Sequence, residues 1–417
     1  MPATEFNQPL TLPCGQVIKN RFLKSAMSET FATHGHPNQQ HINLYRSWAN
    51  GGAGLLFSGN VMIDHTALGE PGNVVIENDE DMAILKQWAA AGTENKTQFW
   101  MQINHPGKQS YRSLSKEPVA PSAIGFEGIY ATVFNRPRAL TRTEIQQLVK
   151  KFTNTAVIAQ KAGFTGVEIH AAHGYLINQF LSAKDNQRHD EYGGSLTNRM
   201  KFLLDIYRSI RAAVGDSFPI GVKLNSSDFE PGGFSEDESI QVIKVLSQLG
   251  VDLIEISGGN YLNPAMSEGT DKNSNAAFFI NYAHKIKKLT TTPIALTGGF
   301  KDLKTMTTAI ENQDTELLGI GRPMVLFPDL PNRIMNNQFS NVKLPRLKTN
   351  IKLIDDNAGP LIANSYYEQQ MACIASGKQP KYSTNGWPPL LRLIQQHGIS
   401  GLMPRRVKKY NHSSEEE

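Results

Sequence analysis

PIGVKLNSSDFEPGGFSEDESIQVIKVLSQLGVDLIEISG, residues 219–258, sets the fold of this chain. PIGVKLN (219–225) and DLIEISG (252–258) are short, nearly continuous apolar runs rich in Val, Ile and Leu, as strands buried on both faces require. Between them, 236–249 carries a helical pattern opened by Ser235 before EDES, a capping signal. Strand, helix and strand in that order imply two parallel strands joined by a crossover. The unit repeats outward. Strands are expected at 22–27, 54–63, 97–103, 166–171, 219–225, 252–258, 293–297 and 316–321. Helices are expected at about 39–50, 79–92, 141–162, 195–214, 236–249, 277–290 and 301–312, with Thr141 and Glu144 forming a second capping box. Eight such strands favour a closed α/β barrel, a (β/α)8 TIM barrel, over an open doubly wound sheet.

The bulk properties agree. The chain has 417 residues, enough for a barrel of roughly 250 with additions. Its apolar content of 40% and charged content of 19% suit an ordinary globular core. A net charge of +4 over this length gives no argument for nucleic acid or an anionic membrane. Cys14 and Cys373 are too few for a disulfide framework or an iron–sulfur cluster. MPATEFNQPL lacks a basic segment followed by an apolar run, and no stretch of about 18 apolar residues exists, so a cytoplasmic enzyme is expected. Residues 1–340 form the expected barrel. Within it 104–140 is a long insertion without a convincing helix, expected at the active-site rim. Residues 341–417 form a mainly helical C-terminal extension with helices near 364–376 and 389–397 and a polar tail. It is expected to pack under the barrel or reach a neighbouring subunit, with Tyr366, Tyr367 and Trp387 as packing residues; association into a homo-oligomer stays open.

In a parallel barrel the strand C-terminal ends share one mouth. Those ends here are Ser25-Ala26-Met27-Ser28, Ser58-Gly59-Asn60, Gln102, His170 with His173, Lys223, Ser257-Gly258-Gly259, Thr297-Gly298-Gly299 and Gly321-Arg322. Glycines after strands seven and eight let backbone N–H groups approach an anion, and Arg322 adds charge-assisted bonds, which suits phosphate; tight turns alone are the plainer reading. His170 and His173, three apart, would point to opposite faces of one strand. If the strand ends near His170, both can face the mouth and bind a carbonyl or oxyanion, with Tyr175 as proton donor. A metal would need a third ligand, and the spacing to Asp185, His189 and Asp190 matches no familiar site, so none is expected. Gln102 offers donor and acceptor to a planar heterocycle, or is satisfied by backbone. Lys223 inside a barrel needs an anion or an electron-rich ring, or serves as a Schiff-base lysine in an aldolase or isomerase acting on a phosphorylated substrate.

Together these segments resemble the old yellow enzyme family of FMN-dependent NAD(P)H oxidoreductases. The resemblance spans about residues 5–335: KNRFLKSAMSE (19–29), GGAGLLFSGNVMID (51–64), WMQINHPGKQ (100–109) and, most specifically, AGFTGVEIHAAHGYLINQFLSAKDNQRHDEYGGSLTNRMKFLL (162–204). GVKLNSSDF and SGGNY point to the branch of NADH:flavin oxidoreductases and single-barrel relatives of 2,4-dienoyl-CoA reductases. The resemblance implies bound FMN with NADH or NADPH as reductant, and an electron-poor alkene, or alternatively oxygen or a quinone, as acceptor. It implies that Ser25, Ala26, Met27 and Ser28 edge the flavin, that Gly59 and Gln102 contact its ring, and that Lys223 lies near N1. Gly298, Gly299, Gly321 and Arg322 would hold the phosphate. His170 and His173 would bind the substrate oxygen, Tyr175 would donate the proton, and Thr30 would touch the substrate. Ser28 and Thr30 replace the cysteine and tyrosine of a related branch, and Ala26 replaces a usual proline; Ser28 is expected to hydrogen-bond the flavin O4.

Overall fold

Eight parallel strands close on one another in the computed structural model, which describes residues 3–128, 130–260 and 279–397. They are β1 Phe22–Lys24, β2 Leu55–Phe57, β3 Gln98–Asn104, β4 Gly166–Ala171, β5 Ile220–Asn225, β6 Leu253–Ser257, β7 Ile294–Thr297 and β8 Leu317–Ile320. Each pairs with the next; β8 returns to β1 with Gly319 opposite Leu23. Helices α1 Gln39–Asn50, α2 Met82–Gly92, α3 Arg142–Ala162, α4 Lys201–Val214, α5 Glu236–Gln248, α6 Ile280–Lys287 and α7 Leu303–Glu311 fill the crossovers, and α8 Arg322–Leu326 follows β8. The expected (β/α)8 barrel is borne out. Both capping boxes form: Thr141 and Ser235 accept from the backbone of Glu144 and Glu238, whose side chains accept in return. Among the described residues no helix is long and apolar enough to cross a membrane.

Local expectations needed correction. The run 54–63 is not one strand. Glu29 Oε1 and the Tyr45 hydroxyl take the Gly59 N–H at 2.9 and 2.8 Å, β2 stops at Phe57, and Val61–Met62 pairs further up β3. The 195–214 helix is two pieces, Leu196–Arg199 and α4. Residues 277 and 278 of the sixth expected helix lie outside the described residues. The 104–140 insertion does hold a short helix, Tyr130–Val133, and a two-strand pair, Val119–Ala120 with Arg138–Ala139. In the extension, α9 runs Lys352–Ala375 straight through Pro360, a residue that ordinarily ends a helical pattern, and α10 runs Trp387–His397.

The interior follows the two-residue period of strands. Leu23, Leu55, Trp100, Leu253, Ala295 and Leu317 form an apolar floor, closed by Leu12 and Ile18 of an N-terminal hairpin. The Trp100 indole fills the centre: a Cβ at Gly166 would stand 2.7 Å from it, so only glycine fits there. Two residues along from the floor the side chains turn polar, as Ser25, Gln102, Glu168, Lys223, Glu255 and Thr297. Two further along lie His170, Asn225 and Ser257.

The extension does not sit under the barrel. Helix α9 packs on α1 and α8, and α10 packs along α9. Tyr366 and Tyr367 are buried, as expected of packing residues, whereas Trp387 stays 41% exposed and ties its indole N–H to the Thr349 carbonyl at 3.0 Å.

Candidate active site

The β4 strand ends at Ala171, and His173 adopts φ +62. That turn brings both imidazoles to one side. Their centroids are 5.0 Å apart, and the Tyr175 ring lies 4.9 Å from His170, nearly perpendicular to it. A positive φ at a non-glycine residue costs roughly 1 kcal/mol or more. Neighbours hold it: the His173 N–H donates to Asn225 Oδ1 at 3.1 Å, and Gln109 Nε2 donates to the His173 carbonyl at 3.0 Å. Asn225 is itself oriented, its amide donating to Asp228 Oδ1 and to the Gly259 carbonyl, both at 2.9 Å.

Burial pushes both histidines well below their ordinary pKa, helped at His170 by His173 and at both by the Lys223 charge. Both are therefore neutral at pH 7. His170 Nδ1 accepts the Ala172 N–H at 3.3 Å, which places the proton on Nε2, a donor. His173 Nε2 lies 2.7 Å from Ser257 Oγ. With Ser257 donating, the His173 proton sits on Nδ1 and is the second donor. The carboxylates that could have completed a metal site turn elsewhere: Asp185 pairs with Lys108, and Asp190 with Arg188 at 2.6 Å.

Beneath lies the polar layer. Gln102 Nε2 donates to Glu168 Oε2 at 2.6 Å, leaving its Oε1 without a partner among the described residues. Lys223 Nζ lies 3.2 Å from Glu255 Oε2. The Thr297 hydroxyl donates to Glu255 Oε1 and lies 2.8 Å from Ser25 Oγ. Lys223 thus meets a protein carboxylate.

The corner beyond β7 and β8 is different. Gly298 and Gly299 take φ +115 and +91. Arg322, half-buried, has no carboxylate within ion-pair distance among the described residues, and desolvation lowers its pKa. Lys301 is lowered by burial and then by the positive charges of Arg322 and Arg346. Three cations with little compensation, beside two glycines in the left-handed region, suit the phosphate of FMN. The donor set therefore fits the cofactor.

At the edge of β1, Met27 Sδ lies 3.4 Å from where a Cβ on Gly321 would stand, and Ala26 packs toward the interior floor. A Cβ on Gly59 would fall 2.0 Å from Glu29 Oε2, so that position requires glycine. The Ser28 hydroxyl donates to Glu70, not into the mouth; it offers a ring only its lone pairs. Thr30 belongs to the extension's contact. Its hydroxyl lies 3.1 Å from Glu368 Oε2 of α9 and 3.4 Å from Arg392 of α10. Burial, reinforced by Glu70, pushes Glu368 up to about 8.

Sequence reasoning missed Glu29, Glu70, Glu168, Glu255, Lys301, Arg346, Glu368 and Arg392. Glu168 and Glu255 carried a signal: each is a charged residue two positions before a mouth residue in an otherwise apolar strand. A separate polar cavity of about 360 Å³ lies between the 104–140 insertion and α3, lined by Asp64, His105, Arg138, Glu144 and Lys151 among others. Its charges are mutually paired, Arg138 with Glu144 at 2.6 Å and Lys151 with Asp64 at 2.7 Å. Asp64, His65 and Glu77 cluster closely enough for a cation, but Lys151 Nζ already bridges the two carboxylates.

Known proteins bear out the sequence resemblance. A family model described as NADH:flavin oxidoreductase / NADH oxidase matches residues 6–341. The chain is 36% identical over 356 residues to an NADH-dependent flavin oxidoreductase of Hypocrea jecorina, covering 79% of this chain and 88% of that one. It is 30% identical over 321 residues to an NADPH dehydrogenase of Clostridium acetobutylicum, covering 75% and 89%. Among solved structures, the old yellow enzyme homologue from Zymomonas mobilis superposes with TM-score 0.70 at 27% identity, covering 81% of this chain and 94% of that one.

Proposed function

From its membership of the NADH:flavin oxidoreductase / NADH oxidase family, to which this chain belongs, we propose that it is an ene reductase: an FMN enzyme that uses NAD(P)H to reduce an electron-poor alkene. FMN, when bound, would supply the hydride chemistry that links NAD(P)H to the acceptor's β-carbon. The observation that carries the proposal is the cluster of His170, His173 and Tyr175 at the barrel mouth, with both imidazoles neutral.

His170 Nε2–H donates to the acceptor's carbonyl or nitro oxygen, and His173 donates beside it. Together they stabilise the negative charge that grows on that oxygen as the β-carbon is reduced. The Tyr175 hydroxyl delivers the proton to the α-carbon. Arg322 with Gly298, Gly299 and Gly321 holds the phosphate. Gln102 and Lys223 would face the ring, and Ser25, Ala26, Met27, Ser28 and Gly59 would edge it. Thr30, tied to Glu368, borders the substrate. The Schiff-base alternative at Lys223 finds no support in the geometry: the amine is buried and held against Glu255.

The test is anaerobic stopped-flow on purified protein. A yellow preparation releasing FMN on denaturation, bleached by NADH or NADPH and recoloured by a neutral enone, is the expected result. Recolouring only by oxygen or a quinone would replace the alkene acceptor. A colourless protein trapped by borohydride with substrate would sink the proposal.

A further inference from the structure

One buried carboxylate oxygen in the polar layer lacks a partner among the described residues. Glu168 spends Oε2 on Gln102, and Glu255 spends Oε1 on Thr297. Glu255 Oε2 faces Lys223 Nζ at 3.2 Å, whereas Glu168 Oε1 has no hydrogen-bond partner among the described residues, although both side chains are fully buried. Lys223 is the one cation in ion-pair contact with them, at Glu255, among the described residues. Two ionised carboxylates beside one ammonium would leave a buried net negative charge, which is strongly unfavourable. A single proton removes that charge and turns the orphaned Glu168 Oε1 into a donor.

We propose that Glu168 and Glu255 share one proton, carried by Glu168 and donated to Glu255, and that this pair positions Gln102 and Lys223 for the FMN ring. The proposal rests on the FMN reading above. The surroundings support this assignment of the proton. Burial and the Glu255 charge hold Glu168 well above the usual carboxylate range. Lys223, Glu168 and Thr297 outweigh burial at Glu255 and hold it below. The other cation nearby is Lys24, whose Nζ donates to the Ser25 carbonyl at 2.8 Å and which burial pushes down to about 7.

The consequences concern orientation and charge. Protonated Glu168 still accepts from Gln102 Nε2, so the Gln102 amide is pinned with Oε1 and its second N–H left for the ring. Glu255 neutralises Lys223, so the layer as a whole is uncharged. The pair acts through Gln102 and Lys223 as positioning residues.

The experiment measures the FMN midpoint potential of holoenzyme for wild type, Glu168→Gln and Glu255→Gln. Glutamine at 168 reproduces the protonated carboxyl, accepting from Gln102 through oxygen and donating to Glu255 through nitrogen. Its reduced-to-oxidised ratio is expected to stay within about threefold of wild type. Glutamine at 255 strips Lys223 of its counter-charge. It is expected to favour reduced FMN at least tenfold, about 30 mV for a two-electron couple. Equal shifts, the reverse pattern, or no shift in either variant would overturn the proposal. If Glu255→Gln does not fold, the infrared difference between wild type and Glu168→Gln decides instead. Loss of a protonated-carboxyl C=O band in the variant supports the pair, and no such loss overturns it. A wild type that binds no FMN breaks the family reading itself, and is seen before either variant is compared.

Discussion

Lys223 and Arg322 are both cations in the upper half of one barrel, and their surroundings differ. Lys223 sits in a layer whose formal charges cancel within the protein, against Glu255 and through it Thr297, Ser25 and Glu168. Arg322 sits with Lys301 and Arg346 and no carboxylate in contact among the described residues. The difference separates a self-sufficient polar core from a site that an anion must complete. A buried cation paired by protein contributes to folding; one left unpaired contributes to binding.

That contrast can be broken by substitution. The largest effect is expected at Lys223→Ala, which leaves Glu255 buried without its cation and costs about 3–5 kcal/mol in urea unfolding. A Lys223→Met, Glu255→Gln double variant recovers most of that loss, and failure to recover it would mean that the pair is not the cause. Tyr175→Phe is next. It slows alkene reduction about 100-fold and flavin reduction by NAD(P)H much less, both read by stopped-flow. Equal loss in the two half-reactions would remove the donor role.

Arg322→Ala reverses the Lys223 result. Apoprotein stability changes by no more than about 0.5 kcal/mol, since no ion pair is lost. FMN binding weakens about ten- to hundred-fold, measured by fluorescence quenching. Riboflavin, which lacks the phosphate, should bind wild type and variant alike.

The smallest effect lies on the rim. The folded chain keeps a proton on Glu368 up to about 8, whereas the unfolded chain releases it near the ordinary 4.5. Between those values the folded state binds more protons, so this group's contribution to stability falls as pH rises. Glu368→Gln flattens that slope in thermal melts taken from pH 5 to 8.5. A variant with the wild-type slope would place the proton elsewhere.

The barrel was legible because its strands are short apolar runs and its helices carry capping boxes at Thr141 and Ser235. The mouth residues were legible because strand ends converge in this fold. The break at Gly59 was not, since it depends on Glu29 and Tyr45 from distant segments capturing one N–H. The partner of Lys223 was not, because an inward glutamate in DLIEISG looks like a strand residue until the register places it beside the lysine. The rim was hidden for the same reason: Thr30 meets Glu368 and Arg392 across more than 330 residues of chain.

Phenol binding to FMN-loaded enzyme, followed by the flavin's absorption change in wild type and a His170→Ala, His173→Ala double variant, tests the two imidazole donors most directly. The imidazole donors are expected to hold the phenolate oxygen, so the double variant should lose affinity at least about 100-fold, two charge-assisted bonds' worth, with FMN content unchanged. A double variant that binds the phenol as tightly as wild type would remove His170 and His173 from the acceptor site.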